Sequence, residues 1–320
     1  MMIENKEIKC FNPSKDDINI EKRKKIYHYT SPSGLSGILG NATIRFTDCQ
    51  FLNDKSEYTH IINPLTSAIN ELKGETEIDL EDILLHIQEN YEAEDVEIDR
   101  KEFRLTLSLN PKRYYVFCAS TAADSLEMWN YYVKDGAYQG YNIGFSIEKL
   151  LDCFSSIQNP QIDVVYGKVI YREKEQTGLL KDMLLAADAK YREKIAQPEG
   201  DVGKAHERII GEILNYIEDF RLFFKNEAFS NEKEYRFILK LPLKYVHHSD
   251  DPIVMGYRIR NGIFTPYCEL AIDKEKTITS IFLSPMLEGE LAKQGLKRYL
   301  KHSGYDNKIN IVQSRVPIRY

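Results

Sequence analysis

In the segment EKEYRF, Glu232, Glu234 and Arg236 recur at every second position, and period-two alternation predicts all three on one face of a strand. Carboxylates placed this way can stabilise positive charge that develops in a transition state, and the arginine can bind a phosphate or neutralise Glu232. The competing reading is a solvated edge in which the two glutamates pair with Lys233 and Arg236. A second constellation centres on His28 in KIYHYTSPSGLSGILGN, where a histidine stands at the end of a strand pattern that runs into a helix pattern. His28 reads either as a ligand-positioning residue or as a core histidine bonded to backbone. Among the other six histidines, His247 and His248 are adjacent and point to opposite sides of any strand, so they do not form a metal pair. YRIRNG sets Arg258 and Arg260 on one strand face, where they can contact phosphates. Trp129, with Tyr131 and Tyr132, reads as core packing or as a base-stacking platform. Asn53, Asp54 and Glu57 read as a helix cap with first-turn acids, or as residues lining the cleft of His28.

Composition narrows the classes. The chain has 320 residues, 42% of them hydrophobic and 29% charged, which predicts a globular protein with a sizeable core. A net charge of −6 argues against broad non-specific coating of nucleic acid and leaves room for a local basic groove. The N-terminal MMIENKEIKCFNPSKDD has no apolar run resembling a secretory signal, and no stretch reaches the ~20 apolar residues of a membrane helix. The expectation is a cytoplasmic protein without membrane association. Its five cysteines, Cys10, Cys49, Cys118, Cys153 and Cys268, are odd in number and far apart, which predicts free thiols.

The elements that must position these groups follow from pattern. Strands are predicted at residues 24–30, at TIRFTD, RYYVFCAS and GYNIGFS, at EKEYRFILKLPL, and at GYRIR, IFTPYCELAI, TITSIFLSP and KINIVQS. Helices are predicted in SPSGLSGILG, after Asn53 or Asp54, within residues 78–109, in DSLEMWNYYV, and in LEGELAKQGLKRYLKHSGY. Between 173 and 225 two helices flank QPEGDVG, and Ile210, Ile213, Leu214, Ile217, Phe220 and Phe224 form an apolar stripe that reads as core or packing seam, with a partner-binding face as the alternative. With no internal repeats, this reads as a single elaborated α+β domain over residues 1–320 carrying a helical hairpin insertion at 173–225.

Three blocks in order, HYTSPSGLSGIL, FCASTAADSLEMWNYY and EKEYRF, resemble the ADP-ribosyltransferase superfamily. The set HYTS, FLNDKSE, EMWNYY and EKEYRF also resembles a large bacterial family named only as a domain of unknown function. The first resemblance implies a split mixed β-sheet core with surrounding helices, and NAD as substrate with no metal. By the same resemblance His28, Tyr29 and Thr30 position the dinucleotide, Phe117 and Ser120 lie near the nicotinamide ribose, and Arg236 binds a phosphate. Glu234, with Glu232 as partner, stabilises the ribosyl cation as nicotinamide leaves. The implied acceptor is a protein, a nucleic acid or water, in a toxin or anti-phage defence setting with an antitoxin or regulator as a further partner. Two rivals stand beside this reading: a non-catalytic nucleotide- or protein-binding module on the same fold, and a metal-dependent nuclease or hydrolase built from Glu57, Glu232 and Glu234. The transferase mechanism requires His28 and Glu234 to face one cleft.

Overall fold

The computed structural model describes residues 9–11, 24–52, 59–92, 112–133, 139–157, 159–197, 202–243, 245, 252–260, 262–287, 289–305 and 309–317. It is a mixed α+β protein with a mixed, open β-sheet, and its chain divides into two compact units. The first comprises Met1–Leu52, Arg113–Lys168 and Asn231–Tyr320; the second comprises Asn53–Lys112 and Val169–Ser230.

The sheet belongs to the first unit. Its strands are β1 (Lys9–Phe11), β2 (Lys25–Thr30), β3 (Thr43–Asp48), β4 (Lys112–Ser120), β5 (Tyr141–Ser146), β6 (Asp163–Lys168), β7 (Glu234–Pro242), β8 (Ile253–Arg260), β9 (Ile263–Ala271), β10 (Ile278–Leu283) and β11 (Asn310–Gln313). Four of them form a trunk in the order β1-β6-β7-β4, and at β4 the sheet forks. One limb continues as β2-β5-β10-β11; the other runs through β3 and β9 to β8. Both limbs start from β4 itself: β3 pairs with it through Thr47↔Val116 and Asp48↔Tyr115, and β2 through Tyr27↔Ser120 alone. Phe117, Cys118 and Ala119 therefore lie between the two paired stretches.

Alternation along these strands sorts their side chains into two faces. On one face Ile26, Ile44, Phe46, Tyr115, Phe117, Ile143, Phe145, Tyr166, Tyr235 and Phe237 join one core, covered by α1 (Pro32–Asn41), α5 (Ile147–Ser155) and α8 (Gly289–His302). Phe117 sits among the rings of Phe46, Phe145 and Phe237, with centroids 5.9, 5.8 and 6.5 Å away. On the other face Tyr29 packs with Met128, Trp129 and Val133 of α4 (Leu126–Val133). Local chemistry sets the helix ends: Ser31 caps α1 by accepting from Gly34 N–H at 3.1 Å, with Pro32 at the first position, and Ala42 closes it in the left-handed conformation at φ 50°.

The second unit is helical, with α2 (Ile62–Glu71), α3 (Leu80–Glu92), α6 (Glu173–Ile195) and α7 (Val202–Arg221). Asp188 of α6 accepts the N–H groups of Glu77 and Ile78 at 2.7 and 3.1 Å, anchoring the entry to α3, and pairs with Arg192 at 2.6 Å. Buried Gln176 donates to the carbonyls of Ile170 and Lys225. The α7 stripe is shifted from expectation: Ile209 is buried where Ile210 is half-buried, and Phe224 lies past the helix in a bridge to Ile170. Strands β1 and β6 and helix α5 had not been predicted. Asn53, Asp54, Glu57, His247 and His248 lie outside the described residues, as does 93–109 of the predicted 78–109 helix.

Because Phe117 is the meeting point of rings from both limbs and the trunk, Phe117→Ala should cost about 3–5 kcal/mol of unfolding free energy. Urea denaturation followed by circular dichroism measures it; a loss under 1 kcal/mol would show that the cluster is not the keystone described.

Candidate functional site: the fork in the sheet

Three strands that carry the sequence blocks, β2, β4 and β7, are neighbours in the sheet. The chain clips β4 to the start of β7 with side-chain and backbone bonds. Ser120 Oγ donates to the Glu232 carbonyl at 2.6 Å and accepts from Ala122 N–H at 3.0 Å, while Thr121 N–H donates to the Lys233 carbonyl at 2.9 Å. Lys233 takes a left-handed conformation at φ 46°, which breaks the strand alternation. The predicted single-face array is therefore corrected: Glu232 ends a 3-10 turn (Glu227–Glu232), β7 starts at Glu234, and only Glu234 and Arg236 share a strand face.

Glu234 and Arg236 are both buried and joined by two parallel bonds, Nε to Oε1 and Nη2 to Oε2, each 2.9 Å. A bidentate pair of this kind satisfies the fork of the guanidinium and both carboxylate oxygens at once. Ser120 is fully buried, and Phe117, only 2% exposed, belongs to the core.

Tyr29 serves the loop between β4 and α4. Its hydroxyl donates to the Ala122 carbonyl and accepts from Ser125 N–H, both at 3.0 Å, and its ring meets Trp129 edge-on at 4.7 Å. Trp129 is buried and donates to Asp124 at 2.7 Å; Asp124 also accepts from Ser314 Oγ and Arg315 N–H. Trp129 is thereby a core residue, whereas Tyr131 and Tyr132 are exposed. Thr30 stands at the mouth of α1, where its hydroxyl crowds the bare Cα of Gly34.

His28 occupies the fork. Its Nδ1 donates to the Cys118 carbonyl at 2.9 Å, in the stretch of β4 that neither limb pairs, and its ring lies 5.0 Å from Phe117. Burial holds the imidazole below its ordinary value of 6.5; the bond to Cys118 opposes this and the charge of Arg258 adds to it. His28 pairs with Ile143, and Ile143 and Phe117 belong to the same core face. Tyr27 lies opposite Ser120, and Glu234 alternates with core-facing Tyr235, so Ser120 and Glu234 project from the other face. The requirement that His28 and Glu234 face one cleft is therefore not met: β4 lies between their strands and they point to opposite sides of the sheet.

The limb β3-β9-β8 brings together charges far apart in the chain. Its ladder sets Arg45 opposite Glu269, Thr47 opposite Tyr267, and Arg258 opposite Thr265, all on one face with Arg260. Arg45 is spoken for: it pairs with Glu269 at 2.6 Å and stacks over Tyr267 at 4.6 Å. Arg258 is not. It is half-buried, its Nη2 donates to Thr47 Oγ1 at 3.1 Å, its Nε is buried without a hydrogen-bond partner, and among the described residues no carboxylate pairs with it. Burial, then Arg260, then Arg45 push its guanidinium below the ordinary value. Arg258 and Arg260 were legible from YRIRNG; Arg45 and Thr47 were not, since only the pairing of β3 with β9 carries them there. Among the described residues no group of three His, Cys, Asp or Glu side chains is arranged to hold a metal ion.

His28 yields a sign-definite test. With its folded value depressed, the unfolded chain binds the extra proton first as pH falls, so the stability contributed by neutral His28 is present above about pH 6.5 and is lost below it. His28→Gln keeps a donor for Cys118 and cannot titrate, so the decline in unfolding free energy from about pH 7 to about pH 5 should be shallower than in the wild type. Equal slopes would mean that the ring is not held neutral by the fork.

Residues 128–237 match a family described as protein of unknown function (DUF2971). The match takes in Trp129 and the EKEYRF segment and does not extend to HYTS or FLNDKSE. No curated protein and no solved structure matches the chain.

Proposed function

We propose that this chain is a nucleotide-binding module whose phosphate site is the arginine face of the β3-β9-β8 limb. One observation carries the reading: Arg258 is a half-buried cation with a buried, unpartnered Nε, two further arginines beside it and, among the described residues, no carboxylate to neutralise it. A desolvated charge of this kind is costly without a counter-charge, and a phosphoryl oxygen supplies one. Arg258 and Arg260 are two residues apart on an extended strand, about 7 Å between Cα atoms, so each can offer donors to one phosphoryl group of a diphosphate. Thr47 orients the first guanidinium from outside the strand. ADP and NAD are the ligands of choice for testing, since both carry a diphosphate.

The ADP-ribosyltransferase reading is favoured by one specific observation, the adjacency of β2, β4 and β7, which sets its three sequence blocks side by side. Two features weigh against it: Glu234 is engaged in a buried bidentate pair, and His28 projects from the opposite face.

Titration calorimetry with ADP and NAD distinguishes the two. In a binding module Arg258→Gln should weaken affinity by about 10- to 100-fold, the worth of a hydrogen bond to a charged group, and Glu234→Gln should leave it unchanged. The wild type should release no nicotinamide from labelled NAD. Release that disappears in Glu234→Gln would restore the transferase, and an Arg258→Gln affinity equal to wild type would remove the phosphate site.

A further inference from the structure

Gly256 interrupts a strand of large side chains, IVMGYRIR, on the face that carries Arg258 and Arg260. Neither a bulge nor the backbone accounts for it: the ladder from β8 to β9 runs through Gly256 without a register shift, and its φ lies outside the left-handed region. A glycine inside a strand then marks a close approach. The approaching group is a ring. Gly256 lies opposite Tyr267, and a Cβ at this position would stand 2.6 Å from Tyr267 Cζ, 2.7 Å from its hydroxyl oxygen and 2.9 Å from Cε2, against the about 3.5–4.0 Å at which non-bonded carbons rest. Tyr267 therefore leans from β9 onto β8, with the far end of its ring over a bare Cα.

That lean leaves the surface of β9 to Arg258. Strand β9 runs between β8 and β3, and Arg258 Nη2 donates to Thr47 Oγ1 on β3 at 3.1 Å, so the guanidinium crosses β9. Thr47 pairs with Tyr267, whereas Arg258 pairs with Thr265, the next position on the same face. The arginine thus slants back into the row formed by Thr47, Tyr267 and Gly256, and it fits there because the ring has vacated the middle of that row. Arg45 stacks over the ring at 4.6 Å while it is tied to Glu269 at 2.6 Å. Moving the ring off Gly256 breaks this stack or drives the ring into the lane of Arg258.

We propose that Gly256 is a positioning residue of the phosphate site: by seating Tyr267 on β8 it keeps open the lane along which Arg258 reaches Thr47. This role rests on the arginine face being the phosphate site, and it falls to a residue that itself offers the phosphate no side chain.

Gly256→Ala is the test variant. The atoms in its way are the far end of one side chain, so the strand should pair as before and circular dichroism should match the wild type. In titration calorimetry Gly256→Ala should weaken ADP binding by about 10-fold, the worth of one hydrogen bond. In a Tyr267→Ala background, with no ring to displace, the same substitution should change affinity by about twofold or less. The Arg258 Nε–H resonance, assigned in a ¹H–¹⁵N spectrum by its loss in Arg258→Gln, reads the same lane without nucleotide. It should shift in Gly256→Ala and stay in place when Gly256→Ala is added to Tyr267→Ala. A Gly256→Ala protein with wild-type affinity and an unmoved Arg258 resonance overturns the proposal, and the phosphate site itself stands if Arg258→Gln still weakens binding. Equal losses of affinity in both backgrounds also overturn it, because the effect would then be independent of the ring. A wild type that binds no ADP refutes the phosphate site and with it this role, whatever the resonance shows.

Discussion

The architecture of the first unit depends on one strand serving two neighbours along one edge. A strand's main-chain groups must be paired or solvated, and β4 hands Tyr115 and Val116 to β3 and Ser120 to β2. The carbonyl of Cys118 falls in the gap, and the His28 imidazole donates to it where a third strand would otherwise have done so. The fork is thus held open by a side chain that imitates a backbone donor. A leucine of similar volume would fill the space and lose this hydrogen bond to the Cys118 carbonyl.

Opening the sheet at β4 has a consequence for charge. The trunk buries its ionic residues in closed form, with Glu234 and Arg236 meeting in a two-point bond that leaves little of either group for a ligand. On the β3-β9-β8 limb Arg45 is compensated by Glu269, while among the described residues Arg258 is held by a neutral threonine. Among the described residues the same limb ends at β8, which pairs with β9 alone, and alternation along β8 sets its arginines on one face and Tyr257 and Ile259 on the other.

Several elements could be read from pattern because each is encoded locally. TIRFTD alternates and forms β3, RYYVFCAS forms β4, SPSGLSGILG carries a serine cap and forms α1, and the amphipathic GELAKQGLKRYLKH forms α8. The strand at DVVYGK was missed because three consecutive apolar residues, Val164, Val165 and Tyr166, carry no periodicity of their own, and it is specified by its antiparallel ladder to β7. The array of Glu232, Glu234 and Arg236 failed at a single residue: nothing in EKEYRF announces that Lys233 adopts a left-handed backbone, a conformation held by the bonds from Ser120 and Thr121 more than a hundred positions away.

By itself, then, the sequence determined the mixed α+β class, most strands and helices, and which charged residues stand two apart on a strand, since alternation and capping are properties of neighbours in the chain. Which face each strand turns to the core was decided only in the tertiary structure. The register that sets Tyr27 opposite Ser120 and His28 opposite Ile143 turns His28 to the core face, away from the face of Glu234, and pairing across more than two hundred residues sets Thr47 beside Arg258. Those relations arise from hydrogen-bond register between distant segments, and register is a property of the assembled sheet.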